Sequence, residues 1–114
     1  MDEVNEFNGP LMLVPGSHRG EAIKNDVDDT TTSYPIRALD NSQVASAVEV
    51  NGIVAPKGPA GSVIFANTNI IHGSASNVSP WDRVLISLTL NSVENKHHGS
   101  SRPEWVVMNN FSPV

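Results

Sequence analysis

The chain has 114 residues with a formal charge of −5, 39% hydrophobic and 17% charged residues, and no cysteine. That length accommodates a single domain, and its apolar content supports a folded core rather than disorder. The balance excludes a nucleic-acid binder, because no basic cluster exists to neutralise phosphates. The missing cysteine excludes a disulfide framework or a thiolate metal site.

No run reaches the ~20 apolar residues that span a bilayer, and the opening MDEVNEF is acidic and polar, unlike a signal peptide. No membrane partner is expected, and the setting read from these features is cytoplasmic. Eight glycines, eight prolines and many Asn, Ser and Thr residues predict a turn-rich, mainly β protein.

In chain order, Pro10–Val14 (PLMLV) reads as a short strand buried on both faces, ended by a turn at Pro15-Gly16. His18 follows as a surface turn histidine. Lys24–Thr32 (KNDVDDTTT) has no apolar periodicity and reads as a loop; Asp28-Asp29 lacks the spaced carboxylates of a calcium site. Asp40–Asn51 reads as a helix, with Asp40 at the N-cap, Gln43 closing a capping box and Gly52 ending it. Val44, Ala47 and Val48 share one face of that helix.

Ile53–Ala55 begins a strand, interrupted by a turn at 57–61 (KGPAG). Ser62–Asn67 (SVIFAN) is the next predicted strand, and His72 sits in a small polar loop after it. A second turn at Ser79-Pro80 leads to Asp82–Asn91, which has the cleanest period-two pattern in the chain. Val84, Ile86, Leu88 and Leu90 form one row; Arg83, Leu85, Ser87, Thr89 and Asn91 form the other. His97 and His98 are adjacent, so on a strand they face opposite ways and suit no shared metal. Trp105–Met108 is a last apolar stretch before the tail.

The residues that carry chemistry are His72 and Arg83, eleven positions apart across a turn. A neutral imidazole binds a metal, and a guanidinium grips a carboxylate with two parallel hydrogen bonds. That pair suits a metal enzyme with an anionic cosubstrate. His72-Gly-Ser74, Arg83 and the following NSVEN (91–95) resemble the C-terminal part of the phytanoyl-CoA dioxygenase family, in its ectoine hydroxylase-like branch. Asn8-Gly-Pro-Leu-Met-Leu-Val-Pro-Gly-Ser-His18 resembles the NGPL…PGSH segment of the same family.

The resemblance implies a partial double-stranded β-helix (a cupin-like jelly roll) with one short helix, spanning residues 1–114 as the C-terminal part of that fold. It also implies Fe(II) and 2-oxoglutarate as cofactors of the parent enzymes, and a small-molecule substrate that is hydroxylated. Carried over by position, His72 is an iron ligand, Arg83 the anchor for the remote carboxylate of 2-oxoglutarate, and Ser74 a hydrogen-bond donor to that carboxylate.

Two departures limit the carry-over. The family's His-x-Asp motif occurs nowhere in this sequence; His18-Arg-Gly, His72-Gly-Ser, His97-His-Gly and His98-Gly-Ser are its four histidine contexts. The chain is therefore expected to be a C-terminal fragment that binds no cofactor and is inactive alone. The alternative is a non-catalytic β-sandwich module for binding or assembly. Ala66 and Ser87 stand where ectoine hydroxylases have aromatic residues, which points to a different small metabolite. With Arg83 turned into the barrel, the Val84–Leu90 row is left uncovered, and self-association through that apolar face is expected.

Overall fold

The computed structural model describes residues 2–20, 26–28 and 36–95, with backbone alone for 26–28 and 36–38. Among the described residues are four short strands and one helix: β1 (Leu11–Leu13), β2 (Asp26–Asp28), β3 (Ile36–Ala38), α1 (Asn41–Asn51) and β4 (His72–Ser74). A 3-10 turn, Ser17–Arg19, follows β1.

The apolar PLMLV run forms β1, and its position explains its composition. On one edge β1 pairs antiparallel with β4, in the register Leu11↔Ser74, Met12↔Gly73 and Leu13↔His72. On the other edge Leu13 exchanges backbone hydrogen bonds with Val54 at 2.8 and 2.9 Å. Pairing on both edges makes β1 a central strand at Leu13, and its apolar side chains pack from its faces. Leu13 and Val14 are accordingly buried, together with Ile71, which precedes β4 and accepts a hydrogen bond from the Val14 N–H at 2.9 Å. This trio forms the apolar core among the described residues.

The turn after β1 is built as expected, with Gly16 at φ +76°, where a side chain would be strained. The helix is also as predicted. The Asp40 side chain accepts from the Ser42 N–H at 2.7 Å, the Gln43 side chain accepts from the Asp40 N–H at 3.2 Å, and Gly52 closes the helix at φ +69°. Its Val44, Ala47 and Val48 face is half-buried.

Four segments differ from their sequence reading. Asp26–Asp28 pairs with Ile36–Ala38 although KNDVDD lacks apolar periodicity. A ladder needs only backbone donors and acceptors in register, and periodicity reports burial rather than pairing. His72–Ser74 is a strand, not a loop, because the edge of β1 supplies its partner.

Conversely, Ser62–Asn67 and Asp82–Asn91 carry strand patterns but join no ladder among the described residues. Val63 and Phe65 are 70% and 89% exposed. The Val84, Ile86, Leu88 and Leu90 row is 60–80% exposed. Pattern alone makes no strand; a neighbour must lie alongside, and these two segments have none among the described residues. His97, His98, Asp29 and Trp105–Met108 lie outside the described residues.

Candidate functional site

The candidate site is assembled on one polypeptide segment, residues 8–14, which meets the later chain at both of its ends. At the C-terminal end, His72 lies opposite Leu13, and the Ile71 N–H just before it donates to the Ser17 hydroxyl at 2.8 Å. At the N-terminal end, the Arg83 Nε–H donates to the Asn8 carbonyl at 3.1 Å. Leu13 and Asn8 are five residues apart, ~16 Å at the rise of a strand. No hydrogen bond joins His72 to Arg83.

His72 is exposed, and its Nδ1 lies 2.9 Å from the Ile70 carbonyl oxygen. In the neutral ring this contact places the proton on Nδ1 and leaves Nε2 as the nitrogen able to take a metal. The turn before it is fixed by the Ile70 N–H to the Asn67 carbonyl at 3.1 Å and by the Asn69 N–H to the Asn67 side chain at 2.9 Å. Ser74 is two residues further along β4. Alternation therefore sets its hydroxyl and the imidazole on the same face of the strand.

Arg83 is half-buried. With Nε committed to Asn8, its two terminal amino groups have no acceptor among the described residues, and no carboxylate there forms an ion pair with it. Among the described residues, the fork that grips a carboxylate is thus unspent.

Asn8 is the residue the sequence reading passed over. It is 1% exposed, and every one of its polar groups is used. Its Oδ1 accepts from the Asn5 N–H at 3.0 Å, and its Nδ2 donates to the carbonyls of Glu3 at 2.8 Å and Asp82 at 3.4 Å. A fully buried asparagine is tolerated only when satisfied in this way. The available signal was its place just before Gly-Pro and an apolar run, where a polar side chain has no solvent to face.

Gly9 tightens the same junction. At φ +74°, a Cβ there would come within 2.6 Å of the Ala75 carbonyl oxygen and 3.1 Å of the Asn77 nitrogen. Ser17 was likewise quoted only as part of a motif. Its hydroxyl turns out to be the acceptor that fixes the backbone entering β4. His18, read as a surface residue, is half-buried, with Nδ1 enclosed and without a partner among the described residues.

An open cleft of about 520 Å³ lies beside this junction, lined by Asp2, Glu3, Asn5, Asn8, Pro80, Trp81 and Asp82. It includes neither His72, Ser74 nor Arg83. Its three carboxylates would repel an anionic cosubstrate, so it is not the chemical site. Among the described residues, no three His, Asp or Glu side chains come together to hold a metal ion. Taken singly, an imidazole such as that of His72 can ligate iron and a guanidinium such as that of Arg83 can grip a carboxylate, but no hydrogen bond joins these two or Ser74 among the described residues.

The two clamped segments, 8–18 and 72–83, are the stretches whose motifs suggested a family. The sequence model of the phytanoyl-CoA dioxygenase (PhyH) family matches residues 1–85, and the chain belongs to that family. Curated relatives carry the name ectoine dioxygenase. The Bordetella parapertussis protein is 39% identical over 113 aligned positions, covering 90% of this chain and 37% of its own length. The Sphingopyxis alaskensis protein is 34% identical over 98% of the chain and 40% of its own length. The Nocardia farcinica protein is 31% identical over 95% of the chain and 40% of its own. The chain thus spans about two fifths of the relatives it matches. No helix among the described residues is long and apolar enough to cross a membrane.

Proposed function

We propose that this chain supplies the distal histidine and the cosubstrate anchor of an Fe(II)/2-oxoglutarate-dependent hydroxylase of a small metabolite, within a double-stranded β-helix. The observation that carries the reading is the 2.9 Å approach of the His72 Nδ1 to the Ile70 carbonyl oxygen. In the neutral ring that contact leaves Nε2 for a metal, on a side chain that shares its strand face with the Ser74 hydroxyl. In this role Nε2 of His72 ligates the iron. The Arg83 fork holds the remote carboxylate of 2-oxoglutarate, and Ser74 donates a hydrogen bond to it.

Arginine suits the task better than lysine because its planar fork meets both carboxylate oxygens at once. Bound iron would supply the activation of oxygen. In the overall reaction one oxygen atom enters a substrate C–H bond, while the other converts 2-oxoglutarate to succinate and carbon dioxide. One imidazole does not hold Fe(II) usefully, so the chain by itself is proposed to be inactive.

Membership in a family whose curated relatives are named for ectoine makes ectoine the first substrate to try. Ala66 and Ser87 are small and exposed, which removes apolar walls and favours a different or bulkier metabolite.

The test is a chimera in which this chain replaces the matching part of the Bordetella parapertussis relative, which then supplies the remaining residues. Decarboxylation of 2-oxoglutarate that requires Fe(II) and is lost in His72→Ala supports the reading. A folded chimera that binds neither Fe(II) nor 2-oxoglutarate overturns it in favour of a non-catalytic module. Micromolar Fe(II) binding by the isolated chain in calorimetry would overturn the proposed inactivity.

A further inference from the structure

Asn8 holds two consecutive residues of the later chain by different means. Its Nδ2 donates to the Asp82 carbonyl at 3.4 Å, and its own carbonyl accepts from the Arg83 Nε–H at 3.1 Å. The asparagine is 1% exposed, and the same Nδ2 donates to the Glu3 carbonyl at 2.8 Å while Oδ1 accepts from the Asn5 N–H at 3.0 Å. The backbone at 82 and the side chain at 83 are therefore fixed against one buried residue.

A guanidinium meets a carboxylate either side-on, through Nε and the neighbouring terminal nitrogen, or end-on, through both terminal nitrogens. Nε carries a single hydrogen, and in Arg83 that hydrogen is committed to Asn8. We propose that Asn8 is a positioning residue that restricts Arg83 to the end-on grip of the cosubstrate carboxylate, a role that rests on reading Arg83 as the anchor for that carboxylate. Asn8 acts through the arginine alone and touches neither iron nor cosubstrate. An acceptor behind the guanidinium holds a long, flexible side chain in place before the anion arrives, so less freedom is lost on binding. The carbonyl can serve in this way because the Asn8 side chain is fully bonded beneath it. Alanine would keep the carbonyl but lose those ties.

The test is a double-mutant cycle in the chimera with the Bordetella parapertussis relative. With Arg83 present, Asn8→Ala should raise the KM for 2-oxoglutarate about tenfold while kcat at saturating cosubstrate and Fe(II) affinity stay within about twofold. Lysine has no Nε–H, so in an Arg83→Lys background Asn8→Ala should leave that KM unaltered. A second measurement uses the unmutated full chain, where folding of a variant is not at issue. By nuclear magnetic resonance, the Arg83 Nε–H should exchange with water about tenfold more slowly than that of the exposed Arg19. Equal exchange at the two arginines overturns the inference. So does an Asn8→Ala effect on KM of the same size in the Arg83→Lys background, or an Asn8→Ala chimera with unchanged KM when Arg83→Ala raises it. Arg83→Ala without any effect on KM overturns the anchor and the role of Asn8 together.

Discussion

Arg83 donates its Nε–H to the carbonyl oxygen of Asn8, 75 residues earlier in the chain, at 3.1 Å. The acceptor is a backbone atom, so any residue at position 8 would offer it. What makes this one available is the side chain of Asn8, which ties Asn5, Glu3 and Asp82 together beneath it. The arginine is therefore aimed from the opposite end of the chain.

Asn8→Ala is expected to free the Glu3 carbonyl and the Asn5 N–H from their buried partner and to lower unfolding stability by about 2 kcal/mol, the usual cost of stranding buried polar groups. Chemical denaturation of the two proteins measures it. The same change should let Asp82 and Arg83 drift, visible as faster exchange of the Val84 amide, which donates to the Asp2 carboxylate at 2.9 Å.

Gly9→Ala should be worse than an ordinary turn substitution. The backbone is in the left-handed region, and the added carbon would sit 2.6 Å from the Ala75 carbonyl oxygen, a backbone atom that cannot swing aside. Strain of that kind costs roughly 1–3 kcal/mol before any repacking. The expected result is a chain with a lower denaturation midpoint and a disturbed β1–β4 pairing. An unchanged midpoint would mean that the 75–77 segment does not pack on Gly9.

How much of this was legible beforehand depends on what each segment needs. The helix was readable to the residue because its signals are local: Asp40, Gln43 and Gly52 act on backbone groups within a turn of themselves. PLMLV was readable as buried because its composition leaves no other place for it. The segments 62–67 and 82–91, predicted as strands, form none among the described residues, since their period of two describes a surface that a neighbour would cover, and no such neighbour is found there. For the site, residue types pointed to His72, Ser74 and Arg83. Their supports, Ser17 and Asn8, act across 54 and 74 residues of chain, a separation no local pattern encodes.

Ser17→Ala removes the acceptor for the Ile71 N–H at the entrance to β4. The expected loss is about 1 kcal/mol of stability, with faster hydrogen exchange at Ile71 and a shifted His72 ring resonance. Ser17→Thr, which keeps the hydroxyl, should recover both signals. Loss of stability without any change at Ile71 and His72 would show that the hydroxyl does not position the histidine.

In the chimera proposed above, Arg83→Lys should raise the KM for 2-oxoglutarate about tenfold or more while leaving Fe(II) affinity unchanged, because a point charge replaces a two-pronged contact. His72→Ala should abolish Fe(II) binding and with it turnover. If both variants lose iron and cosubstrate together, the two residues do not divide the roles assigned to them.

The helix cap carries a pH dependence of definite sign. The Asp40 carboxyl titrates below its ordinary value, first because the Ser42 hydroxyl donates to it and then because the Ser42 and Gln43 backbone N–H groups do. A group whose folded pKa is depressed contributes stability that is fully present above its unfolded pKa and fades as pH falls through the folded one. Helix α1 should therefore hold at neutral pH and fray in acid, below the ordinary aspartate range, as followed by its circular dichroism. Asp40→Asn keeps an acceptor for the Ser42 N–H but does not titrate, so it should flatten that acid transition while preserving the helix at pH 7. Asp40→Ala should weaken the helix at every pH. An acid transition of unchanged size in Asp40→Asn would assign it to another carboxylate, with Glu6 next in line because its own backbone N–H and Lys57 both lower its pKa.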